Sequence, residues 1–188
     1  MPTLTIWTYD WVPEMPRGFV RDLRLRWACA EAGLAYTVRT VPFDGREGNH
    51  LARKSEVLLP RDAAGEAEAV QWLFAALNSI EIVTPPWWFL GITGGQSTEL
   101  TGWVGKRLGQ LERVLATREL LAAGRFTVAD LLMADVLRVP GVREFGDRPA
   151  TAAYVDRITA RPAFLKAHAE QIAQFEAADA GRAKSGKL

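Results

Sequence analysis

The sequence predicts a chain in two parts: an α/β opening of strand, helix and strand, followed by an all-α remainder. Three observations carry this reading. Residues 4–9 form a short β-branched and aromatic run, residues 35–41 form a second, and after about residue 60 apolar residues recur at helical spacing. Composition bounds the class. The chain has 188 residues, with 23 Lys and Arg against 22 Asp and Glu, for a formal net charge of +1. Its 48% hydrophobic and 24% charged residues are the balance of an ordinary globular protein. Near-neutrality argues against a dedicated nucleic-acid binder, whose basic face leaves a clear surplus. No apolar run reaches the ~18–20 residues that span a bilayer. The opening residues, Met1 to Ile6, lack a basic stretch leading into a long apolar one, so no signal peptide is expected and a cytoplasmic location is. One cysteine excludes an intramolecular disulfide and a cysteine-rich zinc site.

Element by element, the first strand runs Leu-Thr-Ile-Trp-Thr-Tyr and stops at Asp10 to Pro13. Two prolines and a glycine make residues 11–18 a loop. From about Phe19, Val20, Leu23 and Trp27 mark the apolar side of a helix, with Arg21, Arg24 and Arg26 mostly on the other. Gly33 is placed to cap its C-terminal end. Residues 35–41 then give the second strand, closed by Pro42 and Gly45, and such a βαβ unit implies parallel pairing with a right-handed crossover.

The rest reads as helix. Val70, Leu73, Leu77 and Ile80 form a stripe over residues 63–83, stopped by Pro85 and Pro86. Residues 85–91 are expected to be an aromatic loop or distorted turn, with Gly94 and Gly95 marking a break. Leu100, Val104, Leu108, Leu111 and Leu115 place a helix over 97–121. Thr127 to Asp130 has the pattern of a capping box: each residue's side chain accepts from the other's backbone N–H, and Phe126 and Leu131 occupy hydrophobic-staple positions. Two more helices follow, one from Pro149 to Arg161 and one from Pro162 to about Ala178.

Residues 124–137 (Gly-Arg-Phe-Thr-Val-Ala-Asp-Leu-Leu-Met-Ala-Asp-Val-Leu) resemble the buried capping box and staple of the sixth helix of the cytosolic glutathione transferases. Residues 154–164 are similar to that family's late helix pair joined at Arg-Pro, here Arg161-Pro162. Leu58 to Pro60, with the helix through Trp72 and Asn78, resembles its interdomain linker and the first helix of its C-terminal domain. A capping box alone occurs in many proteins; these matches in order carry the resemblance, which runs from Leu4 to about Phe175. It implies an incomplete thioredoxin-like domain over residues 1–50, a linker and remnant helix over 51–62, an all-α domain over 63–178 and a mobile tail over 179–188. It also implies a homodimer that uses glutathione as co-substrate; on charge, run length and ligand spacing, no nucleic acid, membrane or metal is expected.

The resemblance is interrupted between about Gly48 and Leu51. The family there has a cis-proline entering a third strand, a fourth strand and a Glu-Ser pair; two such strands, a hairpin and a helix start need ~25–30 residues. Neither Val41-Pro42 nor Val12-Pro13 replaces the cis-proline, since one ends the second strand and the other lies in the first loop. A two-stranded parallel sheet leaves edges and a face open. Three accounts remain: a segment omitted from the chain, a true deletion, or a sheet completed by the dimer partner.

The resemblance gives Tyr9 the place of the hydroxyl that donates a hydrogen bond to the glutathione sulfur. A thiolate is the nucleophile, and a donor beside a helix N-terminus lowers the thiol's pKa. Packing at a strand end is the alternative. Arg17 and Arg21 flank the expected helix start, where a carboxylate or thiolate can be received, unless they belong to a solvated face with Arg24 and Arg26. Trp11 either walls the glutathione site or pins the loop. Trp87, Trp88 and Phe89 fall where the family binds its small apolar electrophile, or else pack between helices. Cys29 reads as a buried small hydrophobe. His50 and His168 lack partners at metal-ligand spacing. The rival to a transferase is a non-catalytic binding or assembly scaffold that has lost the glutathione site.

Overall fold

The structure is a computed structural model that describes residues 4–41 and 57–184. The expected break between Gly48 and Leu51, and His50 with it, lie outside the described residues. The chain divides into two compact units, Met1–Ser55 with Arg161–Leu188, and Glu56–Ala160.

In the first unit, β1 (Leu4–Tyr9) pairs in parallel with β2 (Tyr36–Val41), in a register running from Leu4 against Tyr36 to Tyr9 against Val41. Ile6 and Thr8, on one face of β1, are buried, whereas Thr5 and Trp7 on the other are exposed. Between the strands lies α1 (Asp22–Glu31). It begins three residues later than the apolar spacing predicts, because Gly18 adopts φ +79° and turns the chain before the helical path starts. Its end is as expected. Gly33 takes φ +62°, its N–H bonds to the Ala30 carbonyl, and the Leu34 N–H bonds to the Cys29 carbonyl, which together make a Schellman cap.

The helix that packs against α1 is α8 (Pro162–Lys184), the last in the chain. It continues through residues 179–184, where sequence alone places a mobile tail, because Asp179 is held by Trp11 and Arg17. In the division into compact units, α8 clusters with the two strands.

The second unit is helical: α2 (Ala63–Ala75), a π-helical stretch (Ala76–Glu81), α3 (Thr84–Ile92), α4 (Thr98–Leu115), α5 (Val128–Leu137), α6 (Pro140–Arg143) and α7 (Pro149–Thr159). Residues 85–91 are not a loop but most of α3. Prolines in a first turn remove only N–H groups that would have no intrahelical acceptor anyway, so the pair that ends one helix starts the next. On α4, Val104, Leu108, Leu111 and Leu115 form the expected buried stripe. The α7 N-terminus is capped from a distance: its N-cap residue, Arg148, makes no side-chain cap bond, and Glu112 on α4 accepts the N–H groups of Ala150 (2.9 Å) and Thr151 (2.8 Å) and the Thr151 hydroxyl (2.6 Å). No helix among the described residues is long and apolar enough to cross a membrane.

Candidate functional site

Tyr9 closes β1, half-buried, and its backbone carbonyl accepts from Gln174 Nε2 of α8 at 3.3 Å. The chain then turns through residues 10–21, held by the Arg17 N–H to the Glu14 carbonyl and the Phe19 N–H to the Pro16 carbonyl. Val12 is buried in this turn at 1% exposure, and its carbonyl accepts both Nε (3.2 Å) and Nη2 (3.0 Å) of Arg17. The rest of the guanidinium faces Asp179. Nη2 donates to Asp179 Oδ1 at 2.6 Å and Nη1 to Oδ2, while Trp11 Nε1 donates to the same Oδ1 at 2.8 Å. Hydrogen bonding to this carboxylate raises the Arg17 pKa further above its already high value. Of the four junction residues proposed from sequence, Trp11 and Arg17 thus share one carboxylate, Tyr9 is tied to the same helix by its backbone, and Arg21 is solvent-exposed.

Behind the junction lies a buried polar network that sequence reading missed. Arg26, expected on a solvated face, is 3% exposed: its Nε bonds to Asp22 Oδ2 at 2.7 Å and its Nη2 bonds to Gln174. Gln171 Nε2 donates to Asp22 Oδ1 (2.6 Å) and to the Val20 carbonyl (3.1 Å). A buried charge is tolerated when so paired. The i,i+4 spacing of Asp22 and Arg26 is visible in the sequence; their glutamine partners, 148 and 149 residues further on, are not. Farther along α8, His168 stacks on Phe164, which meets Trp27 edge-on at 4.8 Å. Cys29 is buried, and burial pushes its thiol pKa up, away from nucleophilic character. A cleft in this unit, of about 410 Å³, is lined by Tyr36, Val38, Arg26, Lys166 and Glu170 among others. There the Tyr36 hydroxyl donates to Glu170 at 2.5 Å, and burial first and this bond second push its pKa up to about 12.

In the other unit the three aromatics part company. Trp87 meets Phe145 edge-on at 5.0 Å, and Trp88 lies over Gly141, where an added Cβ would sit 2.9 Å from its Cδ1. Phe89 is 60% exposed. Both bonds of the capping box are present. The Thr127 hydroxyl accepts from the start of α5, and Asp130 Oδ2 accepts the Thr127 N–H at 2.9 Å. Asp130 Oδ1 also accepts the Leu121 N–H (2.9 Å) and the Tyr154 hydroxyl (3.1 Å), so this carboxylate joins three segments with no exposed surface. Among the described residues, no group of three or more His, Cys, Asp or Glu could hold a metal ion.

Residues 96–162 match the family described as glutathione S-transferase, C-terminal domain. No curated protein sequence matches the chain. Among solved structures, glutathione S-transferase 1-6 from Anopheles dirus species B superposes with a TM-score of 0.68 at 17% identity, over 95% of this chain and 99% of that one. The theta class enzyme of Xanthomonas axonopodis pv. citri with glutathione bound gives 0.64 at 19% identity, over 92% and 100%. The transferase URE2P6 of Phanerochaete chrysosporium, solved with oxidized glutathione, gives 0.67 at 17%, over 90% and 96%. At such identities the likeness establishes the fold: an α-helical C-terminal part and a thioredoxin-like part represented, among the described residues, by two strands.

Proposed function

We propose that this chain, glutathione-transferase-like by its C-terminal family match and by its fold, binds glutathione at the β1–α1 junction and conjugates it to, or uses it to reduce, a small apolar electrophile. The observation that carries the proposal is the convergence of Trp11 and Arg17 on one carboxylate directly after the strand that ends in Tyr9. Glutathione carries two carboxylates, so the donor set of this loop suits it chemically. When bound, it supplies the nucleophilic thiol.

The chain's own residues would act as follows. Trp11 and Arg17 bind and orient a carboxylate end. Arg21 adds positive charge at the start of α1, beside the positive end of that helix's dipole. Tyr9 donates its hydroxyl to the sulfur, stabilising the anion while the thiol proton leaves to solvent. Trp87, Trp88 and Phe89 receive the apolar electrophile, with Phe89 the member exposed to a ligand. The chain acts as a homodimer in the cytoplasm.

Glutathione titration by calorimetry, together with turnover of an aryl halide, tests this reading. The expected result is saturable binding, and in Tyr9→Phe a loss of about a hundredfold in kcat with affinity changed less than about threefold. Absence of glutathione binding would replace the enzyme by a non-catalytic scaffold on the same fold.

A further inference from the structure

We propose that Trp11 and Arg17 form a carboxylate receptor whose resident ligand is the chain's own Asp179, so that an incoming carboxylate must displace the end of α8. The inference rests on the glutathione reading only for the identity of that incoming ligand.

The receptor is set independently of its ligand. Two of the guanidinium's donors are fixed on the Val12 carbonyl, which orients the remaining edge of Arg17 whether or not Asp179 is there. That edge and the indole N–H supply three convergent donors to two oxygens, the fork that matches a carboxylate. The Arg17 side chain is only 11% exposed, so this charge is largely removed from water and requires an anion against it.

The ligand, by contrast, is built to leave. Asp179 is 38% exposed and lies one turn beyond Phe175, the last fully buried residue of α8. The anchors are Gln171 and Gln174, bonded to Asp22, Val20, Arg26 and the Tyr9 carbonyl, and Phe175, which has no exposed surface. The turns up to Phe175 can stay docked while those after it swing away. An intramolecular carboxylate in this position lowers the apparent affinity for any external one by the fraction of time it occupies the fork.

The experiment uses the full chain as wild type, Asp179→Ala, Asp179→Asn and Arg17→Ala/Asp179→Ala. Thermal melts are run with formate, against chloride at equal ionic strength, and glutathione affinity is titrated for each protein. The expected result is that formate raises the Tm of the Asp179→Ala protein but not that of wild type or the double variant. Glutathione should bind the two Asp179 single variants about tenfold more tightly than wild type. Formate rescue without glutathione binding in any variant would uphold the receptor and refute the glutathione reading. Equal glutathione affinity in wild type and the Asp179 variants, without formate rescue, would overturn the receptor and leave that reading standing. No response to either would overturn both. Should Asp179→Ala fail to fold, Asp179→Asn keeps the side-chain volume and is judged by the same readouts.

Discussion

Gly18 and His168 approach so closely that a Cβ on residue 18 would lie 2.6 Å from the imidazole Nε2. The contact joins the loop after β1 to α8, and it adds a steric demand to the conformational one already made by φ +79°. Gly18→Ala should therefore cost about 3 kcal/mol, part from the left-handed backbone and part from overpacking. The two parts separate in a His168→Ala background. There the same substitution should cost only about 1–2 kcal/mol, measured by urea unfolding as a double-mutant cycle.

The α5 cap yields a pair of stability predictions. Thr127→Ala removes one acceptor at the helix start and should cost about 1 kcal/mol. Asp130→Ala strands the N–H groups of Leu121 and Thr127 and the Tyr154 hydroxyl without exposed surface, and should cost about 3 kcal/mol or more. If both substitutions cost the same in urea, Asp130 is only a local cap and not the link between three segments.

Asp130 and Glu112 should respond to pH in opposite senses. Burial, the strongest influence on Asp130, pushes its carboxyl above the ordinary 3.8, against the pull of its backbone and hydroxyl donors. Its share of stability is therefore complete below 3.8 and is lost as pH rises through the higher folded value. The wild-type advantage over Asp130→Asn should shrink with rising pH in that range.

For Glu112 burial also pushes upward, but the Thr151 hydroxyl, the N–H groups of Ala150 and Thr151 and the Arg148 charge outweigh it, and the carboxyl titrates below 4.5. Its share is present above 4.5 and is lost as pH falls through the lower folded value. The advantage over Glu112→Gln should then shrink with falling pH. Denaturation series from pH 3 to 7, roughly one unit apart, would read both slopes; parallel slopes would contradict the assignment.

The aromatic segment separates packing from ligand contact. Phe89→Ala removes an exposed ring and should change stability by less than about 0.5 kcal/mol. Gly141→Ala pushes a methyl against Trp88 and should cost about 1–3 kcal/mol. Under the transferase reading, Phe89→Ala raises KM for the electrophile while the melting temperature stays put. A drop in melting temperature of several degrees would place Phe89 in the packing instead.

What the sequence discloses follows the range of each signal. Both strands, the Gly33 cap and the Thr127–Asp130 box are set by residues within a few positions of one another, and each stands where local chemistry puts it. Pro85 and Pro86 mislead because proline both ends a helix and begins one, and only the backbone beyond them distinguishes the cases. Arg26 misleads for another reason. Its charge reads as surface until Gln174 is brought to it from the far end of the chain. The same applies to Asp179, whose helix looks unanchored in isolation because Trp11 and Arg17 lie more than 160 positions earlier. At the junction, Tyr9, Trp11 and Arg17 are legible as candidates, but the carboxylate among them is not.

The return of α8 to the first strands orders events in time. The unit Glu56–Ala160 is a single stretch of chain and can form as soon as it leaves the ribosome. The other unit is split, and Asp22, already paired with Arg26 through one oxygen, must wait for Gln171, 149 residues later, to satisfy the other. Until α8 is synthesised, β1, α1 and β2 expose an unfinished core, so the newborn chain has an interval in which its first-made segment is the last to become native.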